Sequence, residues 1–168
     1  MTLFERLLAI ALSVAVATGA FAADVPVKLQ TIFFKKIFLY DRTLSGKSLK
    51  VVVAYADENA EADELAQAFR DLGIEATAVK ASNLAGTLGG ISAVYLLPHA
   101  VSPSVRETVA AAKVLSLGGV AAQAEKGDVG VALSSKDGKP EIVVNVATVQ
   151  SQGHELSSDL LNLARVIK

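Results

Sequence analysis

The chain has 168 residues, two histidines, no cysteine and a formal net charge of −1. Without cysteine there can be no disulfide, thiolate metal site or cysteine nucleophile, and a near-neutral chain lacks the basic face that nucleic-acid binding requires. Stability must come from packing, which the 52% hydrophobic composition suits.

The first stretch, MTLFERLLAIALSVAVATGAFAAD, carries Arg6, then an apolar run over residues 7–16, then small residues ending in Ala20-Phe21-Ala22. That order is expected of a secretory signal with an A-x-A cleavage site, cut after Ala22. The run is short for a membrane span, which needs about 20 apolar residues. Residues 1–22 are thus expected to be removed, leaving a single domain over 23–168 in the periplasm or outside the cell.

In LQTIFFKKIFLYDR, Phe33, Phe34, Ile37 and Phe38 share one broad helical face opposite Lys35 and Lys36. SLKVVVAY is a continuous apolar run, the pattern of a strand covered on both faces. DENAEADELAQAFRDLG predicts a helix with an acidic start, a stripe of Leu65, Phe69 and Leu72, and Gly73 as its stop. IEATAVK alternates as a strand, and ISAVYLLP is a second buried run ended by Pro98. SPSVRETVAAAK predicts a helix with Pro103 in its first turn, followed by a short strand VLSL. Two β-rich runs then flank Asp137-Gly138, a strong hairpin signal. The expected fold is α/β, a three-layer sandwich: a mainly parallel sheet, helices on both faces and a C-terminal antiparallel hairpin.

Catalytic motifs are missing one by one. His99 and His154 belong to no metal-binding spacing, and Glu155 beside His154 does not share its helical face. SGKS at 45–48 fails as a phosphate loop because Asp41 stands where a glycine is required and a strand follows. The acidic group Asp57, Glu58, Glu61, Asp63 and Glu64 suggests a receiver-like or divalent-ion pocket, but the third strand ends YLLPH without the needed aspartate. Acidic residues in a helix's first turn favour its dipole, and that accounts for them. No catalytic residue, cofactor or metal ligand is assigned.

The tail, GHELSSDLLNLARVIK, reads as a capped helix. Ser157 is the expected N-cap, Leu156 and Leu161 the two sides of a hydrophobic staple, and Leu160, Leu163, Ala164 and Ile167 the buried stripe. Asn145 is expected to cap a short helix VATVQSQG in the same way. PEIVVNVATVQ, then Gly153, then LSSDLLNLARVI also resembles the C-terminal signature of the YfiR family of periplasmic proteins. Asn145, Gly153, Ser157, Leu160, Leu161 and Ala164 carry the resemblance as signature and structural positions. The order of signal, aromatic helix, buried strand and VYLLP strand is similar over most of the rest.

The resemblance implies a periplasmic, often self-associating interaction protein without catalysis. Such proteins bind the periplasmic sensing domain of an inner-membrane diguanylate cyclase, lower cyclic-di-GMP and restrain biofilm formation. The family's redox-sensitive cysteines are missing here, and YDRTLSG stands where a Trp-Pro often follows the first helix, so redox gating is excluded. Phe33, Phe34 and Phe38 of the aromatic helix are the expected partner surface. The competing reading is a periplasmic small-ligand-binding domain using the strand end at Leu97-Pro98-His99.

Overall fold

A computed structural model describes residues 25–58 and 60–168; the expected leader lies outside them. In chain order the elements are α1 (Val27–Leu39), β1 (Lys50–Tyr55), α2 (Ala60–Asp71), β2 (Glu75–Lys80), β3 (Ala93–Leu96), α3 (Pro103–Ala112) and β4 (Leu115–Gly118). They continue with α4 (Ala121–Glu125), β5 (Val131–Lys136), β6 (Lys139–Asn145), α5 (Val146–Ser151), α6 (Ser158–Leu163) and β7 (Arg165–Ile167). The seven strands form one sheet in the order β2-β1-β3-β4-β5-β6-β7, parallel except between β5 and β6. This is the α/β sandwich expected from the alternation of apolar runs and amphipathic helices.

The apolar runs occupy the middle of the sheet for a physical reason. β3 and β4 are buried along their whole length, and Val51–Ala54 of β1 likewise, so an exposed polar residue has no place there. β2, at the edge, fully buries only Ala76 and exposes Glu75, Thr77 and Lys80. From β1 the chain steps outward to β2, then returns past β1 to β3 and continues the other way. Right-handed crossovers in opposite directions put their helices on opposite faces. α1 and α2 pack together on the first face, where Phe34 meets Tyr95 edge-on at 5.8 Å between ring centroids. Ser116 of β4 points to the other face, bonding Gln152 just beyond α5. The hairpin turns on Asp137 and Gly138, both at positive φ (51° and 74°), as a two-residue turn between twisted strands demands.

The end of the chain departs from expectation. α6 stops at Leu163, Ala164 is extended, and Arg165–Ile167 leave the helix to pair in parallel with β6. Leu163 is consequently 74% exposed instead of part of a buried stripe, and Ala164 and Ile167 are only half-buried. β-branched Val166 and Ile167 favour the strand, and the open edge of β6 supplies its hydrogen bonds.

A polar knot lies inside the α1 face. Tyr95, 1% exposed, donates its hydroxyl to Gln30 Oε1 at 2.7 Å, and Gln30 Nε2 donates to the Val25 carbonyl at 2.7 Å. Gly119 leaves room for that hydroxyl, since a Cβ there would lie 2.3 Å from it. Gly119→Ala is therefore expected to destabilise by about 1–3 kcal/mol through overpacking. Tyr95→Phe should cost about 1–3 kcal/mol by leaving Gln30 without its donor. Urea denaturation of the double variant should show the alanine tolerated once the hydroxyl is gone, so that the two costs fail to add.

Candidate functional site

Three features outside the apolar core can do something. The first is a crevice of about 570 Å³ at the carboxyl ends of β1 and β3, lined by Asp57, Glu58, Glu61, Leu97, Pro98 and His99 among others. The strand order reverses there, where open α/β sheets commonly bind ligands. His99 is exposed in a 3-10 turn at the crevice wall, and Asp57 forms a 3.6 Å surface pair with Lys80. Glu61 and Asp63 sit in the first turn of α2, as the dipole argument anticipates. Among the described residues, no group of three or more His, Asp or Glu side chains is placed to hold a metal ion.

The second feature was not legible as a pair in the sequence. Asp41, 0% exposed, lies at the end of α1; His154, 5% exposed, lies beyond α5. His154 Nδ1 stands 2.6 Å from Asp41 Oδ2, and its Nε2 3.2 Å from the Lys113 carbonyl. A carbonyl only accepts, so Nε2 carries a hydrogen and donates it. The Nδ1–carboxyl contact is a hydrogen bond between ring and acid. Asp41 Oδ1 meanwhile accepts from Thr43 N at 2.8 Å.

Backbone contacts extend this clasp. Arg42 N donates to Glu155 O at 3.0 Å and Ser157 N to Tyr40 O at 2.8 Å, with Asp41 and Leu156 in an antiparallel bridge. Outside it, Arg42 pairs with Glu155 on the surface. Lys113, the C-cap of α3, takes the left-handed conformation at φ 56°. Gly153 fits beside it at φ 74°, and a Cβ there would press within 3.1 Å of the Lys113 stem.

Gly153 thus has both a turn and a neighbour to satisfy. Asn145 caps α5 as expected, accepting from Thr148 N at 3.0 Å, and its amide also donates to the Ala124 carbonyl at 2.9 Å. Ser157 caps α6, accepting from Leu160 N at 3.4 Å. Leu156 and Leu161 line one small apolar cavity of about 60 Å³, with Val144, Val146 and Val149 around them. Leu160 is buried. The last strand is pinned by Arg165, which donates to Glu125 at 2.7 Å and to Glu141 at 3.2 Å. The hydrogen bond to Glu125, with help from Glu141, raises the guanidinium above its already high ordinary value.

The third feature corrects the expected partner surface. Phe34 and Phe38 are 0% and 2% exposed, because they are the side chains with which α1 covers the sheet. They offer nothing to a partner. Phe33 is half-buried and borders an open groove of about 650 Å³ together with Pro140, Ile142 and exposed Leu163. Lys136, Asp137, Lys139 and Glu141 also line it. Leu163, which periodicity places on the buried stripe of its helix, is the sequence signal for this groove.

A mostly parallel sheet covered on both faces, with a late hairpin and a short last strand, defines the protein as an α/β sandwich domain. The YfiR/HmsC-like family model matches residues 33–165, and the chain belongs to that family. No curated protein matches the chain. Among solved structures it resembles a conserved domain protein from Vibrio cholerae, with 14% identity and a TM-score of 0.61, over 85% of this chain and 60% of that one. It also resembles an ABC domain in complex with L-Trp from Streptococcus pneumonia, with 13% identity and a TM-score of 0.63, over 84% of this chain and 62% of that one. The chain spans only about three-fifths of the length of these structures, and the likeness is one of fold.

The clasp makes a sharp prediction. Asp41→Ala and His154→Ala should each cost about 3–5 kcal/mol, since each leaves a buried polar partner alone. The double variant Asp41→Leu with His154→Leu should cost much less than the two alanine costs summed, because no uncompensated group remains. Chemical denaturation of the three variants measures this; additive losses would show that the two side chains act independently.

Proposed function

We propose that the protein is an exported, non-enzymatic regulator that binds the periplasmic sensor domain of an inner-membrane signalling protein of the diguanylate cyclase type and modulates its output. The observation that carries this reading is the family match across residues 33–165. A partner that prefers one conformation of a sensor shifts its equilibrium by the difference in affinity between the two states, so regulation needs no chemistry beyond binding. The effect on the cell is then a change in cyclic-di-GMP and in biofilm formation.

The groove between α1 and the β5–β6 hairpin suits such a partner. Its apolar floor of Phe33, Pro140, Ile142 and Leu163 is bordered by charges of both signs, the composition of a protein-binding patch with a polar rim. Leu163 protrudes from a rigidly capped helix, so it can insert into a partner without rearranging the domain.

A second reading, small-ligand binding, draws on the crevice at the ends of β1 and β3 and on the neighbour crystallised with L-Trp. The acidic lining would favour an amine-bearing molecule.

Tagged protein expressed in its native periplasm and crosslinked should co-purify with an inner-membrane protein bearing a periplasmic sensor domain. Leu163→Asp should abolish that capture while leaving the thermal midpoint unchanged, since the side chain is already in water. Recovery of the tagged chain alone, with crosslinking verified on a known pair, would overturn the regulatory reading. Under the ligand reading, an amino acid at 100 times its dissociation constant should stabilise the fold by about 2.7 kcal/mol.

A further inference from the structure

We infer that the outward face of α1 is a docking surface for an anionic phospholipid bilayer. At 3.6 residues per turn, Lys28, Leu29, Ile32, Phe33, Lys35, Lys36 and Leu39 fall within an arc of about 160°, opposite the arc that carries buried Gln30, Phe34, Ile37 and Phe38. The helix is thus apolar on both sides; the fold uses the inner side and, at the edges of the outer arc, half-buried Phe33 and the bond from Lys35 to Leu72. Leu39 is 79% exposed, Ile32 40%, Tyr40 38% and Leu29 36%. These four supply most of the large exposed apolar side chains among the described residues, the others being Val120 and Leu163.

The charges that α1 itself contributes have one sign, while α2 beside it exposes Glu61, Asp63, Glu64 and Asp71. Val27–Leu39 holds three lysines and no acidic residue, in a chain whose formal net charge is −1. Lys28 sits in the first turn, where the helix dipole disfavours a cation, so helix stability does not explain it. Lys35 donates to the Leu72 carbonyl at 2.8 Å, whereas Lys28 and Lys36 enter no ion pair among the described residues.

Of the acids nearest the C-terminal end, two are neutralised or matched. Asp41 is buried on His154 and Glu155 is paired with Arg42, while Asp159, beside Leu39 and Tyr40, enters no ion pair among the described residues. Leucine and isoleucine interleaved with lysine, with a tyrosine at one end, is the chemistry of a surface lying in the headgroup region. The apolar groups enter the acyl boundary, while the long lysine stems carry their charge back to the phosphates. A protein partner would call for acids complementary to these lysines; a bilayer supplies them at any register, as this evenly mixed face requires. No helix among the described residues is long and apolar enough to cross a membrane.

The test is flotation of the chain over residues 23–168 with phosphatidylcholine vesicles, with and without about 30% phosphatidylglycerol, at low salt and at about 0.5 M salt. The chain should float with the anionic vesicles only and be released by salt. Replacing both lysines (Lys28→Gln, Lys36→Gln) should lower partitioning about 25-fold, fivefold per charge. Leu39→Asp should also release the chain without changing its thermal midpoint, whereas Leu163→Asp should bind vesicles like the wild type. Equal binding to both vesicle types, or to neither, would overturn the inference. So would a wild-type dimer that Leu39→Asp converts to monomer with vesicle binding unaffected, which would assign this face to a second copy.

Discussion

Asp41 and His154 are both withdrawn from water, and neither could be without the other. A carboxylate loses several kcal/mol of solvation on burial, and only a well-placed donor offsets that. Here the imidazole bridges the carboxyl to the Lys113 carbonyl, so one ring holds together the end of α1, the end of α3 and the approach to α6. The close approach of residues 40–42 to 155–157, the room made by Gly153 and the left-handed turn at Lys113 all follow from keeping that ring in place. In a chain without cysteine, this polar contact does the cross-linking that a covalent bond does elsewhere.

Among the described residues no buried side-chain nitrogen or oxygen lacks a hydrogen-bond partner, so the polar interior is satisfied once the sheet is covered. What is left over is apolar surface on α1 and at Leu163, lysines on α1 and acids at the crevice. These surfaces are the ones on which the proposed regulation by binding rests.

Much of the fold was readable because it rests on local rules. Continuous apolar runs became central strands, Asp137-Gly138 became the hairpin turn, and Asn145 and Ser157 became caps. Periodicity names a face of an element without naming the neighbours of that face. Phe34 and Phe38 cover the sheet instead of facing a partner, and Leu163 lies in water because the helix ends there. The final strand is not legible in the sequence, because its pairing partner, β6, lies about 20 residues upstream and three strand residues carry little pattern of their own. The clasp was invisible for a stronger reason. Asp41 and His154 are 113 residues apart, and no spacing rule relates a lone aspartate after one helix to a lone histidine after another.

That separation has a consequence for the making of the protein. A chain that emerges from the ribosome N-terminus first exposes Asp41 long before His154 exists, and β7 is completed later still. Until then the carboxylate stays in water, where it costs nothing, and the loop around it has no reason to close. Unfinished or truncated chains therefore keep an ionised group at what should become an interior position. The same clasp that locks the finished domain delays its completion and distinguishes a whole molecule from a fragment.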